Sequence, residues 1–258
     1  CGNQPCLAAL AQGAGNLTLA ADSRCVCETA IAANFNERRM PVDILLLHYT
    51  GMENGAKAQE WLCVPESQVS CHYLVYEDGR IVQMVAEDMR AWHAGAGTWQ
   101  GRDDVNSRSI GIEIVNPGHE FGYPDFPEIQ IGAVAELCSD IVARRGIAAR
   151  NVLAHSDIAP ERKRDPGEKF PWQRLHEAGV GHWVEPAPVS GGRFLTHGDG
   201  GPPVKALQEM LSLYGYGIDC SGEFDHRTGL VVAAFQRHFR PEKVDGVADV
   251  STVETLYR

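Results

Sequence analysis

Two apolar segments that each end in a histidine constrain the fold of this chain more than any other feature. Residues 42–49 (VDILLLHY) are rich in β-forming residues and hardly alternate with polar ones, which predicts a strand buried on both faces with His48 near its end. Residues 151–156 (NVLAHS) predict a further strand, which carries His155.

A polar loop follows the second of these strands and adds further candidate ligands. Residues 153–167 (LAHSDIAPERKRDPG) contain His155, Lys163 and Asp165. A lone buried histidine is more often a core residue bonded to the backbone, but two of them with a nearby aspartate favour a metal site. Two imidazoles and one carboxylate with an open fourth position suit a Zn²⁺ ion that activates water. We therefore expect a zinc site of His48, His155 and Asp165.

Length and charge exclude several classes of function. The chain has 258 residues, so one large domain and a small one are expected. Its net charge of −11 argues against general binding to nucleic acid or to an anionic membrane surface, since both need patches of Lys and Arg. No uninterrupted apolar run of the sequence is long enough to cross a bilayer, and no transmembrane segment is expected.

The other predicted elements follow from hydrophobic periodicity and turn residues. A hairpin is expected where two apolar runs flank Asp78-Gly79, a dipeptide that tolerates the positive φ angles of a tight turn. The strands are predicted at 71–85 (this hairpin) and 109–116, and the helices at 55–62, 127–146, 171–179, 204–217, 228–239 and 250–257.

Composition divides the chain into four parts. Residues 1–33 are rich in Ala, Gly and polar residues without a clear period, and are expected to form an N-terminal tail. Residues 34–183 hold the predicted zinc domain. Residues 184–200 are rich in Pro and Gly and predict a linker. Residues 201–258 predict a small domain of three helices, whose modest core suits binding better than catalysis.

The cysteines leave two questions open. The chain begins with Cys1, which fits a mature lipoprotein whose first residue carried the lipid; a truncated chain or a tail without an anchor is the slightly favoured alternative. Cys63 and Cys71 flank a predicted helix-to-strand turn and fit either a disulfide or two free thiols.

Several of these segments together resemble a known family. LLLHYTGM, VSCHYLVYEDGRIVQMV, RAWHAG, NSRSIGIEIVN and AHSDIAPERKRDPG make residues 42–182 similar to the zinc-dependent N-acetylmuramoyl-L-alanine amidases of the AmpD/AmiD type, which share a fold with peptidoglycan recognition proteins and phage T7 lysozyme. Residues 201–258 resemble the small three-helix peptidoglycan-binding module, through VKALQEML, GEFDHRTGLVVAAFQ and DGVADVSTVETL. The resemblance implies an α/β fold in which a central mixed β-sheet is flanked by helices, with zinc in a surface cleft, followed by the helical module.

The resemblance also implies a reaction and roles for particular residues. The reaction is hydrolysis of the amide between N-acetylmuramic acid and the L-alanine of the stem peptide, with zinc held by His48, His155 and Asp165. Glu113 is implied as the acid/base that moves a proton from water to the leaving nitrogen. Lys163 is implied as the cation beside the oxyanion of the tetrahedral intermediate.

Some of these residues have structural alternatives. In RAWHAG, Trp92 would stack on a sugar and His93 would bond the substrate, but core packing explains both residues equally well. Glu113 in an alternating strand also fits a residue that faces solvent, and Lys163 lies in a charge run of the kind that usually forms a solvated loop. The alternative for Asp165 is that it only forms a turn before Pro166.

Two hypotheses about function remain at this point. An amidase that acts on peptidoglycan or muropeptides is favoured over a recognition protein that binds them without cleavage. Non-catalytic members of the wider fold lose a metal ligand, whereas this chain has all three, together with Glu113 and Lys163. The C-terminal module is expected to tether the enzyme to the polymeric wall. The expected location is the cell envelope, that is, the periplasm, where a lipid on Cys1 could anchor the protein. The cytoplasm is the alternative.

Overall fold

A mixed β-sheet lies at the centre of the computed structural model, which describes residues 19–258. The strands are β1 (Glu28–Thr29), β2 (Phe35–Glu37), β3 (Ile44–Tyr49), β4 (Tyr73–Val75), β5 (Ile81–Gln83), β6 (Met89–Ala91), β7 (Ser109–Ile114) and β8 (Val152–Ala154). The helices are α1 (Gly55–Cys63), α2 (Val105–Arg108), α3 (Glu128–Arg145), α4 (His155–Ile158), α5 (Trp172–Glu177), α6 (Pro202–Tyr214), α7 (His226–Phe239) and α8 (Val250–Tyr257). Among these helices, none combines the length and the apolar character that a bilayer span needs.

The main sheet has six strands in the order β1-β5-β4-β7-β3-β8. Strands β4, β7, β3 and β8 run parallel, while β4 and β5 form the antiparallel hairpin predicted around Gly79, whose φ is +85°. Strands β2 and β6 form a separate antiparallel pair. The prediction of an α/β fold with a central mixed sheet is therefore confirmed.

Strand β3 hardly alternates because both of its faces are covered. Leu45 and Leu47 belong to the core that contains helix α3, whereas Ile44 and Leu46 belong to a second core with the C-terminal helices. All four side chains are fully buried. Since successive side chains of a strand point to opposite faces, His48 shares the face of Ile44 and Leu46.

The C-terminal helices pack directly on this second face. The predicted three helices form, but Val204, Leu207 and Phe235 join the same core cluster as Ile44 and Leu46 of the sheet. The three helices therefore share one hydrophobic core with the larger part of the chain and cover its central sheet.

The segment predicted as a linker, 184–200, lies along helix α8. Ala187 is buried; its N–H donates to Thr255 Oγ1 at 3.0 Å and its carbonyl accepts from Ser251 Oγ at 2.6 Å. Leu195 forms a β-bridge with Ala248. Composition indicates a linker here, but these contacts attach the segment to the C-terminal region at two positions.

The prediction of an N-terminal tail over 1–33 is wrong for its last part. Strand β1 pairs in parallel with β5 and extends the sheet by one strand. The carboxylate of Asp22 also accepts from the backbone N–H of Glu87 at 2.8 Å. Backbone pairing at a sheet edge needs no hydrophobic period, so composition gave no sign of it. Residues 1–18, and with them the question of Cys1, lie outside the described part.

One smaller prediction also needs correction, and one open alternative is decided. The strand predicted at 151–156 ends at Ala154, and His155 opens the four-residue helix α4 instead. Cys63 and Cys71 are both buried, and the described part of the chain holds no disulfide between them.

Candidate metal centre and active site

Three side chains from separate elements converge on one point. His48 comes from the end of β3, His155 from the start of α4, and Asp165 from the loop that follows. Nδ1 of His48 lies 2.8 Å from Nδ1 of His155, and these atoms lie 3.0 and 2.9 Å from Oδ2 of Asp165. All three residues are buried. The structure thus brings together the three predicted ligands.

The hydrogen bond of His155 leaves its Nδ1 ready to bind a cation. Its Nε2 lies 2.9 Å from the carbonyl oxygen of Ala94. A carbonyl can only accept, so Nε2 holds the proton, and the lone pair of Nδ1 points at His48 and Asp165.

A chain of hydrogen bonds gives His48 the same tautomer. Ser109 Oγ donates to the carbonyl of Val105 at 2.6 Å, so it accepts from His93 Nε2 at 3.2 Å. His93 Nδ1 is then an acceptor for the Nε2–H of His48, 3.0 Å away. His48 Nδ1 is left without a proton and faces the other ligands.

The electrostatics of the site agree with this arrangement. Burial, and then the charge of His155, lowers the pKa of His48 to about 4. Burial alone would raise the pKa of Asp165, but the charge and hydrogen bond of His155, together with His48, hold it well below its usual range. A neutral imidazole and an ionised carboxylate are the forms that ligate divalent metals. The donor set therefore fits a bound metal ion.

Strand β7 presents its polar face to this centre. Ile110, Ile112 and Ile114 belong to the core on the other side of the sheet. On the site's face, a Cβ on Gly111 would lie 2.4 Å from the His93 ring, so only glycine leaves room for that imidazole. Glu113 follows two residues later on the same face. The sequence SIGIEI therefore divides its residues between core and site.

Glu113 lies half-buried beside the predicted ligands, and one of its carboxyl oxygens is fully buried. Its Oε2 has no hydrogen-bond partner among residues 19–258. Burial, and then the charge of Asp165, raises the pKa of Glu113 well above its usual value, while Lys163 opposes the rise. Buried polar atoms without partners are rare in folded proteins, and a carboxyl in this state is suited to exchange protons.

These groups open into one cavity of about 450 Å³. One wall is basic and consists of Arg162, Lys163 and Arg164. Another part of the lining is apolar and comes from helix α1, namely Ala58, Trp61 and Leu62.

The structure does not bring Trp92 to this cavity. Its indole N–H donates to Asn36 Oδ1 at 2.6 Å, on the β2–β6 pair, and it is absent from the lining of the cavity. His93 does line the cavity, but its imidazole also supports His48. The sequence predicts a substrate contact or core packing for His93 but not this bond, because the partner of an imidazole depends on the tertiary fold.

Two further residues that line the cavity, Tyr49 and His119, were not predicted from the sequence. Tyr49 OH lies 2.9 Å from His119 Nδ1, and His119 Nε2 lies 3.2 Å from the Glu168 carboxylate. Tyr49 directly follows a predicted ligand, which was its only signal. His119 lies in a short turn that no periodicity marks.

Comparison with known proteins agrees with this architecture. Residues 38–168 match the model of the Amidase_2 family, described as N-acetylmuramoyl-L-alanine amidase, and residues 200–256 match a putative peptidoglycan binding domain. The N-acetylmuramoyl-L-alanine amidase AmiD of Escherichia coli K12 is 38% identical over 227 residues, which cover 82% of this chain and 79% of that protein.

A second relative aligns over a shorter stretch. The 1,6-anhydro-N-acetylmuramyl-L-alanine amidase AmpD of Citrobacter freundii is 44% identical over 108 residues, or 42% of this chain. The alignment spans about half of that relative, 56% of its length.

Two solved structures share the fold over most of the chain. The complex of E. coli AmiD with anhydro-N-acetylmuramic acid-L-Ala-D-gamma-Glu-L-Lys has a TM-score of 0.71 at 34% identity, covering 87% of this chain and 96% of that one. AmpDh3 from Pseudomonas aeruginosa has a TM-score of 0.71 at 33% identity, covering 93% and 96%. With the family model matching more than half of its residues, this chain belongs to the Amidase_2 family of N-acetylmuramoyl-L-alanine amidases.

Proposed function

We propose that this amidase uses a zinc ion to cleave the bond between N-acetylmuramic acid and L-alanine in peptidoglycan and its fragments. The observation that carries the proposal is the meeting of three ligand atoms at a cavity that is lined by His155, Asp165 and the unpaired carboxyl group of Glu113. Fragments with 1,6-anhydro ends are included as substrates, because the AmiD complex and the name of AmpD both specify that form.

Zinc is the proposed ion because of the donor set. Two imidazoles and one carboxylate, with a fourth position open, form a typical ligand set of catalytic zinc. His48, His155 and Asp165 would hold it. When bound, the ion supplies a Lewis acid that lowers the pKa of water to about 7 and polarises a carbonyl.

Glu113 is the proposed acid and base. Its unpaired carboxyl takes a proton from the attacking water and later gives one to the leaving nitrogen of L-alanine. The raised pKa of Glu113 suits a group that has to hold a proton before it gives one to the leaving nitrogen.

Lys163 is the proposed oxyanion partner. It lies in the wall of the same cavity, and its ammonium group would stabilise the negative charge that develops on the carbonyl oxygen. Its neighbours Arg162 and Arg164 make this wall cationic. A stem peptide carries free carboxylates, which such a wall would bind.

The apolar side of the cavity is proposed to contact the sugar. Trp61 lines it and keeps 46% of its surface exposed, which leaves an aromatic face available for stacking. Since Trp92 is bonded elsewhere, Trp61 takes the sugar-stacking role that the sequence suggested for Trp92.

We further propose that the C-terminal helices contact the wall polymer. Their match to the peptidoglycan binding domain supports this role, as does the exposure of Leu213 (84%) and Tyr257 (76%). A cell-envelope location follows from wall binding and from similarity to AmiD, with the cytoplasm as the alternative. An anchor at Cys1 stays a prediction.

The test is mass spectrometry of the products formed from sacculi and from soluble anhydro-muropeptides. Free stem peptides that begin at L-alanine, lost on chelation and restored by zinc, would support the proposal. A protein that binds sacculi but releases no peptide from either substrate, even with zinc added, would instead be a recognition protein.

A further inference from the structure

Helix α7 of the C-terminal region ends against the segment that carries most of the proposed site. We call residues 155–168 the metal loop, since they contain His155, Lys163 and Asp165. Beyond the four-residue helix α4, this segment consists of turns. A segment with so little regular structure depends on outside contacts to keep its ligands in position.

The main contact is a buried carboxylate two residues after His155. Oδ2 of Asp157 accepts from Nδ1 of His238 at 2.7 Å and from the backbone N–H of Ala154 at 2.8 Å. Its Oδ1 accepts from Tyr216 OH at 2.8 Å. Asp157 thus links two side chains of the C-terminal region to the backbone that delivers His155.

His238 is itself held firmly. Its imidazole stacks on Trp172, with ring centroids 3.7 Å apart at 18°, and on Phe239 at 4.2 Å. Only 2% of His238 is exposed, and none of the Asp157 side chain. A buried carboxylate is stable only with its partners in place, so this contact specifies a single geometry.

Helix α7 contacts the metal loop at two more positions. Arg227 forms an ion pair with Glu161, and Arg237 lies 3.8 Å from the carboxylate of Glu168. Along a helix that rises about 1.5 Å per residue, positions 227 and 238 are roughly 16 Å apart. One rigid element therefore supports the loop at its start, middle and end.

We propose that the C-terminal helices position the metal ligands, in addition to any contact with the wall. Tyr216 and His238 are positioning residues that act on His155 through Asp157. The inference deepens the proposed function, because it assigns the ordering of the same site to the region that resembles a binding module.

The test uses full-length variants loaded with zinc. His238→Leu removes the donor to Asp157, whereas His238→Asn keeps a donor near the position of Nδ1. Tyr216→Phe removes the second donor alone. Val232→Ala is the matched control, since it also creates a defect in the same helix, but lies on the face shared by Phe235 and Phe239.

Three readouts separate positioning from general damage. They are hydrogen exchange of the amides of residues 155–165, zinc affinity by competition with a chelator, and binding to sacculi. We expect His238→Leu to speed the exchange and to weaken zinc binding by up to about 10-fold, the low end of the effect of losing a direct partner of a ligand, because His238 acts on His155 only through Asp157. Tyr216→Phe should change both in the same direction, and His238→Asn should restore most of both. Sacculus binding should stay at the wild-type level.

Other results would overturn the inference. If His238→Leu and Val232→Ala change loop exchange and zinc affinity equally, His238 only fills space. If His238→Leu does not fold, Tyr216→Phe decides, and wild-type exchange with wild-type zinc affinity in that variant would reject positioning. Failure of the proposed function would give a different result, because neither the wild type nor any variant would then bind zinc. The hydrogen-exchange comparison would still show whether α7 orders the loop.

Discussion

Glu113 stands directly opposite His48 in the parallel pairing of β7 and β3. Paired residues of neighbouring strands share a face and lie about 5 Å apart along the sheet, so one register places a proposed metal ligand beside the proposed acid/base. A slip of one residue would turn Glu113 into the core on the other side. The isoleucines of β7, together with Leu45 and Leu47 of β3, fix this register by filling that core.

Replacing Glu113 with Gln should abolish most of the activity without loss of metal. The amide keeps the shape but cannot accept a proton, and general acid–base groups contribute about 10²–10⁴-fold to rate. We expect kcat on a soluble anhydro-muropeptide to fall within that range while zinc content stays at one ion per chain. Glu136→Gln, on the exposed face of α3, is the control. A variant with near-normal kcat would exclude Glu113 as the acid/base.

Replacing Lys163 with Met should lower kcat more than it raises KM. The substitution keeps the length of the side chain but removes the charge proposed to stabilise the oxyanion, and loss of one such group costs about 10²–10³-fold. Steady-state kinetics with a soluble muropeptide measures this. Lys205→Met on α6 removes an exposed lysine far along the chain and should change neither constant. A change confined to KM would make Lys163 a binding residue.

Replacing His93 with Leu should weaken metal binding through His48. The variant has no acceptor for the Nε2–H of His48, and outer-shell partners of this kind are worth about 10–100-fold in metal affinity. His93→Asn retains an acceptor near the position of Nδ1 and should lose less. Competition with a chromogenic chelator measures both. Equal affinity of all three proteins would show that His93 does not support the metal.

His72 should make the protein less stable as the pH falls. Burial, and then the charge of Arg38, lowers the pKa of His72 to about 3. The unfolded chain, with a pKa near 6.5, binds a proton between these values that the native state does not. The contribution of His72 is thus complete above pH 6.5 and is lost towards pH 3, at up to about 1.4 kcal/mol per pH unit.

Denaturant unfolding across this pH range tests the expectation. His72→Gln should show a shallower loss of unfolding free energy than the wild type, because it has no proton to gain. His197→Gln, at an exposed position, should follow the wild type. Parallel curves for His72→Gln and the wild type would contradict the assignment.

The two parts of the chain should unfold together. Because Ile44 and Leu46 share a core with Phe235, we expect each part to lose stability without the other. Calorimetry should give one transition with matching calorimetric and van't Hoff enthalpies. Phe235→Ala, at a cost of about 3–5 kcal/mol, should lower the Tm of that whole transition. Two separate transitions would show that the helices are an independent module after all.

Local patterns in the sequence determined the chemistry of the site. The apolar run 44–47 predicted a strand buried on both faces, and the histidines at the ends of two strands predicted the ligands that now meet with Asp165. Helix α3 also ends where Gly146 predicted, with φ of +67°. Each of these features depends on residue periodicity or on one residue's backbone preference, and such information is present in a short stretch of sequence.

Only the tertiary structure decided what covers each apolar face. The sequence showed that β3 and the C-terminal helices have apolar faces, but not that they pack on each other. The same holds for the pairing of β1 with β5, for the acceptor that His93 offers His48, and for the outward position of Trp92. The physical reason is that burial is non-directional: a pattern fixes which surface must leave water, while the partner is chosen by contacts between residues far apart in the chain.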